Sequence, residues 1–299
     1  MSHAPPTPEL PPARSLDLEA EYNNRARVPE HPGHIAAWRE AAETYRAQAR
    51  MEPDIAYGDS DRAKLDLFLP AGGEALASAM FIHGGYWQAL DRSFFSHVAR
   101  GLNAHGFAVA VPSYDLCPAV TIDTILEQMR LATLWMARRF RRPLLVSGHS
   151  AGGHLAACLL ATDWAERAAD LGFDPVPAAY TVSGLFDLAP LRETSLNNAC
   201  RMDAEAAARL SPMLWPAPAG KHLLAVVGGR EGAEYHRQSR EIAERWQAGG
   251  TRATWRAVPD ADHFTVVAPL DNPASVMSLE QLALARASGV LSPAKRATP

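Results

Sequence analysis

Residues 143–157 read PLLVSGHSAGGHLAA, a pattern that predicts a strand, a sharp turn and a helix. An apolar run leads directly into GHSAG at residues 148–152, with Ser150 at its centre, and a helical pattern continues after it. A sharp turn from strand to helix holds the middle residue in a strained backbone conformation, and glycines on both sides avoid clashes there. We therefore expect Ser150 to project from the carboxyl end of a sheet as a nucleophile, beside the free amides of the following helix.

On both sides of this turn, apolar strands alternate with helical segments. Further strands are predicted in ASAMFIHG, FAVAVPSY, AAYTVSG, KHLLAVVGG and ATWRAVP, and two short ones at residues 54–57 and 65–69. Helices are predicted at residues 35–48, 93–105, 122–140, 151–162, 234–247 and 275–288. Apolar strands without alternation, separated by helices, are typical of a parallel sheet covered on both faces. The predicted class is α/β: a mostly parallel, doubly wound sheet of about eight strands, with the two short strands antiparallel at its edge.

The overall composition is that of an ordinary globular protein. We divide the 299 residues into a proline-rich arm at 1–16, a single domain at 17–291 and a tail at 292–299. The formal charge of −4 offers no basic surface, which argues against a nucleic-acid partner. No apolar run reaches the roughly 18 residues of a membrane span, and no apolar signal segment begins the chain, so we predict a cytoplasmic protein without membrane association.

A second motif, HGGYW at residues 83–87, follows the strand ASAMFI. Backbone amides on a glycine loop can stabilise the negative charge that develops on a carbonyl oxygen under attack. We expect the amides of Gly84, Gly85 and Ala151 to form this oxyanion hole. His83 is predicted to anchor the loop by hydrogen bonds. Tyr86 and Trp87 are predicted to line an apolar substrate pocket, with plain packing as the alternative.

The base must be chosen among 11 histidines. A nucleophilic serine in this setting is followed in chain order by the acid and then by the histidine. His263 lies in PDADHFTVV directly after the last predicted strand, where a loop can reach back over the sheet. His149 and His154 lie within the turn and its helix, where neither ring is well placed to face the serine hydroxyl. We therefore predict His263 as the general base.

The acid should follow the strand LLAVVGG, which continues into REGAE. Glu231 comes directly after the strand, whereas Glu234 lies in the first turn of the next helix, where it would also favour the helix dipole. We predict Glu231 as the acid. Glu234 stays open as an alternative, as does Asp187 in GLFDLAP, which could equally cap a helix.

These residues define a mechanism that needs no cofactor. His263 would remove the Ser150 proton, Glu231 would orient the imidazole, and an acyl-enzyme would form and then be hydrolysed. Cys117, Cys158 and Cys200 show no CxxC spacing, and the chain has neither HExxH nor a glycine-rich dinucleotide motif, so no metal is expected.

The motifs together resemble the kynurenine formamidase (arylformamidase) group of α/β-hydrolases, which carries an HGGxW motif. The resemblance rests on HGGYW, GHSAGGH, GGREGAEYHRQS and DHF, and it runs from YNNRARVPEH at residues 22–31 to the closing helix. It implies the α/β-hydrolase fold, hydrolysis of an aryl formamide such as N-formylkynurenine or of a small carboxylic ester, and the same Ser150, Glu231 and His263. The family usually has aspartate at the position of Glu231.

Other functions remain open at this stage. The same site could transfer an acyl group to an acceptor other than water, and some proteins of this fold bind ligands without catalysis. The partner is expected to be a small-molecule ester or amide. The sequence leaves open whether the chain forms a homo-oligomer, and the shape of the acyl pocket should depend on how segments such as residues 194–210 fold over the site.

Overall fold

The computed structural model of the protein describes residues 16–291. The predicted tail at 292–299 and the predicted arm, except for Leu16, lie outside the described residues. The strands are β1 (Met51–Ala56), β2 (Lys64–Phe68), β3 (Ala77–Ile82), β4 (Phe107–Pro112), β5 (Leu144–His149), β6 (Ala178–Val182), β7 (His222–Gly228) and β8 (Arg252–Val258). The helices are α1 (Leu18–Tyr22), α2 (Asn24–Arg27), α3 (His31–Gln48), α4 (Ala99–Asn103), α5 (Ile122–Phe140), α6 (Ala151–Ala161), α7 (Asn197–Cys200), α8 (Ala204–Arg209), α9 (Ala233–Ala248) and α10 (Val276–Ala287).

The strands form one eight-stranded sheet in the order β1-β2-β4-β3-β5-β6-β7-β8. β1 and β2 pair antiparallel at one edge, and β2 also pairs antiparallel with β4. From β4 through β3 to β8, every pair of neighbouring strands is parallel. The predicted fold class, strand number and antiparallel edge are therefore confirmed.

Helices cover both faces of the sheet. In β5, Leu144 and Val146 pack into one apolar cluster and Leu145 into the other, because successive side chains of a strand point to opposite faces. The first cluster includes buried side chains of α5, α6 and α9, and the second includes those of α3, α4 and α10. Burial on both faces explains why the strands are apolar without alternation.

The predicted helix at residues 93–105 is wrong over its first half. Two short 3-10 turns, Arg92–Phe94 and Ser96–Val98, precede α4. Phe95 lies between them, fully buried, with its ring 5.2 Å from the ring of Trp38. Because this contact comes from α3, far away in the sequence, tertiary packing decides the local conformation here.

The carboxyl ends of the parallel strands meet at one edge of the sheet, where doubly wound folds bind their ligands. The HGGYW loop follows β3, Ser150 follows β5, Glu231 follows β7 and His263 follows β8. The sheet thus brings the four predicted motifs together. Within residues 16–291, no helix combines the length and the apolar character needed to cross a bilayer.

Candidate active site

Ser150 occupies a sharp turn between β5 and α6. Its φ of 56° and ψ of −119° lie in a region that side-chain-bearing residues rarely adopt. The turn requires glycine at position 152, because a Cβ atom there would lie 2.0 Å from the carbonyl oxygen of Ile82. The amide of Ser150 donates to the carbonyl of Val182 over 2.8 Å, which ties the turn to β6.

Glu231 and His263 form a buried pair. His263 Nδ1 lies 2.6 Å from Glu231 Oε2. His263 is 5% exposed and Glu231 is 7% exposed. The other carboxylate oxygen, Oε1, accepts from the Ser183 hydroxyl over 2.5 Å and from the Gly228 amide over 2.7 Å. With Nδ1 turned to the carboxylate, Nε2 is the ring nitrogen available to a substrate or to a nucleophile.

His149 holds the backbone of His263 in place. His149 Nε2 lies 2.9 Å from the His263 carbonyl oxygen, and the two rings are 4.7 Å apart. A carbonyl can only accept, so Nε2 carries the proton and Nδ1 presents a bare lone pair. Burial, together with the neighbouring His263, moves the pKa of His149 well below 6.5, so this ring stays neutral. Its Nδ1 has no hydrogen-bond partner among the described residues.

The HGGYW loop lies directly against the serine. A Cβ atom at Gly84 would lie 3.0 Å from the Cβ of Ser150, so the loop backbone can approach Ser150 only without that side chain. Gly85 has a φ of 110°, and its carbonyl accepts from the amides of Gln88 and Ala89 in a tight turn. Ala151 begins α6, where the first amides of a helix have no intrahelical partner. These positions are compatible with the predicted oxyanion hole.

His83 lies beneath this loop, fully buried. Its Nδ1 is 2.7 Å from the Gly84 carbonyl oxygen, and its ring stacks on Tyr114 with 4.2 Å between ring centres. Burial lowers the pKa of His83 to about 4, so the ring is neutral. These contacts fit the predicted anchoring role rather than proton transfer.

Tyr86 and Trp87, which follow the two glycines, point in different directions. Tyr86 lines the cleft above Ser150. Trp87 is fully buried, and its indole makes an edge contact with the ring of His154, with 5.1 Å between ring centres. Trp87 therefore packs in the interior, which was the alternative, and the predicted substrate-lining role is corrected for this residue. Tyr86 and Trp87 have nearly equal φ values of 51° and 58°, so the packing of the indole against His154, and not its own φ, separates the two side chains.

The cleft contains both Ser150 and His263, and its opposite wall comes from the N-terminal helices. Asn24 of α2 and Ile35 and Trp38 of α3 form that wall. The free volume is about 40 Å³. None of residues 194–210 lines the cleft, so the expectation that this segment shapes the pocket is wrong. The segment instead braces the HGGYW loop, where Gln88 Nε2 donates to the Leu196 carbonyl over 2.8 Å.

The other carboxylates near the site, including the alternatives Glu234 and Asp187, make other contacts. Glu234 accepts from the Tyr22 hydroxyl over 2.7 Å and pairs with Arg237, which also binds Asp187. Asp262 accepts from the amides of Phe264 and Thr265 in its own turn. None of these carboxylates hydrogen-bonds to the ring of His263 in the part of the chain that the structure describes. Residues 16–291 contain no group of three or more His, Cys, Asp or Glu side chains arranged to hold a metal ion.

Three residues of this site were not predicted from the sequence: Ser183, Asn24 and Tyr235. Ser183 follows β6 with a φ of 51° and supports Glu231. Asn24 and Tyr235 lie within YNNRARVPEH and EYHRQS, two segments singled out only for their resemblance. The left-handed backbone of Ser183 had no sequence signal, whereas the other two could have been singled out from those segments.

The fold and the site together define an α/β-hydrolase. The chain belongs to the alpha/beta hydrolase fold family, whose model matches residues 79–267. It is similar to the kynurenine formamidase of Danio rerio, with 29% identity over 248 residues that cover 79% of this chain and 83% of that protein. The kynurenine formamidase of Salmo salar is likewise 29% identical, over 246 residues and the same shares of both chains. The resemblance predicted from the motifs is therefore confirmed.

Solved structures share the fold. A candidate thioesterase from Silicibacter sp. TM1040 is 35% identical and superposes with a TM-score of 0.80, covering 89% of this chain and 98% of that one. Esterase B from Lactobacillus rhamnosis is 21% identical with a TM-score of 0.67, covering 90% of this chain and 96% of that one. At that identity the second likeness concerns the fold alone.

Proposed function

We propose that this protein is a serine hydrolase that cleaves small aryl formamides and small carboxylic esters through an acyl-enzyme. Ser150 is the nucleophile, His263 the general base, and Glu231 the acid that orients it. The observation that carries the proposal is the 2.6 Å contact between His263 Nδ1 and Glu231 Oε2, in a cleft that also contains the strained Ser150.

The first half of the reaction breaks the amide bond. Ser150 Oγ attacks the formyl carbon while His263 Nε2 takes the hydroxyl proton, and the carbonyl oxygen becomes an oxyanion. Amides at Gly84, Gly85 and Ala151 stabilise that charge; each such donor contributes about 3 kcal/mol in comparable enzymes. The carbon–nitrogen bond then breaks as His263 returns the proton to the leaving arylamine, and a formyl ester on Ser150 remains.

The second half regenerates the enzyme. Water attacks the formyl ester while His263 takes its proton, and the carbon–oxygen bond to Ser150 breaks as that proton passes to Oγ. Formic acid leaves and ionises to formate. A carboxylic ester follows the same steps with an alcohol as the leaving group, and His263 carries every proton transfer in both cases.

Two observations support a small acyl group. The cavity volume of about 40 Å³ in the cleft leaves little room for a long acyl chain. The kynurenine formamidases are similar to this chain over most of its length. Formamides and short esters are therefore the substrates to test first, ahead of long-chain thioesters.

The test compares initial rates for N-formylkynurenine and short p-nitrophenyl esters, using the purified protein and its Ser150→Ala variant. We expect the wild type to hydrolyse the formamide with a kcat/KM at or above the ester value. The variant should lose at least about a factor of 10⁴ in kcat on both substrates, since it lacks the nucleophile. A variant that retained near-wild-type rates would exclude Ser150 as the nucleophile. If the wild type hydrolysed neither the formamide nor the esters, the proposed function would be refuted.

A further inference from the structure

Asn24 lies in the cleft with an unsatisfied oxygen. The residue is 2% exposed, and its Oδ1 has no hydrogen-bond partner among the described residues. Its Nδ2 lies 2.9 Å from the Tyr86 hydroxyl and 2.8 Å from the Tyr235 hydroxyl. A buried acceptor without a partner destabilises the folded protein, so its retention in the cleft calls for a reason.

The neighbouring hydroxyls determine where the NH₂ group and the oxygen of the Asn24 side-chain amide lie. Burial raises the pKa of both Tyr86 and Tyr235, so both hydroxyls keep their protons. Tyr86 donates its proton to the Tyr22 carbonyl, which can only accept. The 2.6 Å contact between the two hydroxyls therefore needs the proton of Tyr235. Since both hydroxyl protons are already donated, each tyrosine oxygen can only accept a hydrogen bond from Asn24. The NH₂ group of Asn24 must therefore face the two tyrosines, and Oδ1 is the amide atom without a partner.

His149 adds a second unpartnered acceptor in the same cleft. Its Nδ1 carries a lone pair, because Nε2 donates to the His263 carbonyl. A Cβ atom built on Gly84 would lie 3.3 Å from this Nδ1 and 3.0 Å from the Ser150 Cβ, so both side chains border the space beside Gly84. The unsatisfied buried side-chain atoms among the described residues of the cleft are thus both acceptors. A bound molecule that satisfies them has to bring hydrogen-bond donors.

We propose that Asn24 is a specificity-determining residue whose Oδ1 accepts a hydrogen bond from the N–H of the scissile amide, so that the site favours formamides over esters. This inference rests on the proposed function, because it concerns the leaving group of the same reaction. An ester has oxygen in place of the N–H and leaves Oδ1 unpaired. An amide that donates to Oδ1 also has its nitrogen oriented, which leaves the developing lone pair free to take the proton from His263.

The position of Asn24 fits this role. The residue is one side chain away from the base, since the ring of Tyr235 lies 5.0 Å from the ring of His263 and the Tyr235 hydroxyl accepts from Asn24. Two hydroxyls hold the amide from behind, so Oδ1 is preorganised. Preorganised acceptors discriminate strongly against analogues that lack the matching donor.

The experiment measures kcat/KM for two substrates that differ only at the scissile atom, formanilide and phenyl formate. We expect Asn24→Ala to lower the amide-to-ester ratio of kcat/KM about tenfold, the effect of one hydrogen bond. Asn24→Asp keeps an acceptor at this position, so its ratio should stay within about threefold of the wild type even where both rates fall.

The matched control is Asn23→Ala. Asn23 is the neighbouring residue, but its side chain caps α2 by accepting from the Ala26 amide and does not line the cleft. Asn23→Ala should change kcat/KM for formanilide and for phenyl formate by the same factor. A general loss of stability would likewise lower both rates together, so the ratio reports on Asn24 alone.

The outcomes separate this inference from the proposed function. If the wild type hydrolyses both substrates and Asn24→Ala leaves the ratio unchanged, the inference is overturned while the serine hydrolase stands. Ester turnover without amide turnover by the wild type would overturn the inference in the same way. If the wild type hydrolyses neither substrate, the proposed function fails and the inference fails with it.

Discussion

The two walls of the cleft differ in how completely their polar atoms are paired. On the wall formed by the loops after β7 and β8, both oxygens of Glu231 are hydrogen-bonded, one of them to His263. On the wall that includes α2, Asn24 keeps an unpaired acceptor, and His149 keeps another beside the serine. The polar side chains of both walls are buried, so exposure to solvent does not explain the difference.

The difference indicates two kinds of preorganisation. A fully paired network is rigid and holds a group such as His263 in one orientation and tautomer. A held but unpaired acceptor has a fixed position and lacks only a donor, which a ligand can supply. In the proposed mechanism, the first wall holds the general base and the second binds the substrate.

Replacing the acid should have the largest effect. In Glu231→Gln, a neutral amide faces His263 Nδ1, so the imidazole loses both its orienting carboxylate and the stabilisation of its charged form. We expect kcat on a short ester to fall by about 10⁴, with little change in KM. Initial-rate kinetics measure the effect.

Glu234→Gln is the control for this change. Glu234 lies three residues further along the chain, but it contacts Tyr22 and Arg237 rather than the histidine. Its kcat should stay within about fivefold of the wild type, since no contact to the base is lost. A larger loss in Glu234→Gln than in Glu231→Gln would show that Glu231 is not the acid.

His154, one of several buried histidines with a lowered pKa, should contribute to the loss of stability in acid. Burial lowers the pKa of His154 from 6.5 to about 4, while its Nε2 donates to the Leu210 carbonyl. The folded state therefore binds fewer protons than the unfolded state between these values. The contribution is complete above pH 6.5 and is lost as the pH falls to 4, and it amounts to about 3 kcal/mol in the free energy of unfolding.

Urea unfolding at several pH values between about 6.5 and 4.5 measures this contribution. The wild type should lose stability across the range more steeply than His154→Gln, by about 1.4 kcal/mol per pH unit. The comparison uses slopes, so a lower starting stability of the variant does not affect it. Equal slopes would mean that His154 takes up no proton on unfolding.

Replacing Ser183, which donates to Glu231, should lower kcat less than replacing Glu231 itself. Ser183→Ala removes one of two donors to Glu231 Oε1 and leaves the Gly228 amide in place. We expect kcat to fall about tenfold, the effect of one hydrogen bond to a charged group. Thr181→Val is the control, because the Thr181 hydroxyl is equally buried on β6 but has no partner in the described chain. A loss of the same size in both variants would show that packing, and not the hydrogen bond, is responsible.

Tyr86 tests the unpaired wall. Tyr86→Phe removes one of the two hydroxyls that hold the Asn24 amide, and Tyr235 continues to hold it. The amide-to-ester ratio of kcat/KM, measured with formanilide and phenyl formate, should fall about threefold, less than a whole hydrogen bond. Tyr45→Phe, whose hydroxyl binds Asn103 away from the cleft, should leave the ratio unchanged. An unchanged ratio in both variants would mean that the Tyr86 hydroxyl does not support Asn24.

Much of this architecture was predictable from local patterns. The helix at residues 122–140 and the strand before Ser150 form as expected, because their periodicity and burial agree with the fold around them. The contact between Glu231 and His263 was also predictable, since the order of strands brings both loops to one edge. The helix at residues 93–105 failed because buried Phe95 packs against α3.

Side-chain direction was the other point at which prediction failed. HGGYW places Tyr86 and Trp87 on the same loop, yet one lines the cleft and the other is fully buried. Both have positive φ, a conformation that tyrosine and tryptophan rarely adopt, so their sequence positions do not predict it. The direction of each side chain follows from the tight turn after Gly85 and from the space that His154 leaves for the indole.

Three features follow from the amino-acid sequence alone: the strand-to-helix turn at Ser150, the chain order of Ser150, Glu231 and His263, and the family to which the chain belongs. These features depend on neighbouring residues and on their order along the chain, and the amino-acid sequence gives both directly. The tertiary structure alone decided which hydroxyl supports Glu231 and which amide lies in the cleft with a free oxygen. Asn24 and Tyr235 are separated by 211 positions, and Ser183 and Glu231 by 48. Such contacts depend on how the sheet and its helices pack, because only packing brings distant polar atoms within hydrogen-bond distance.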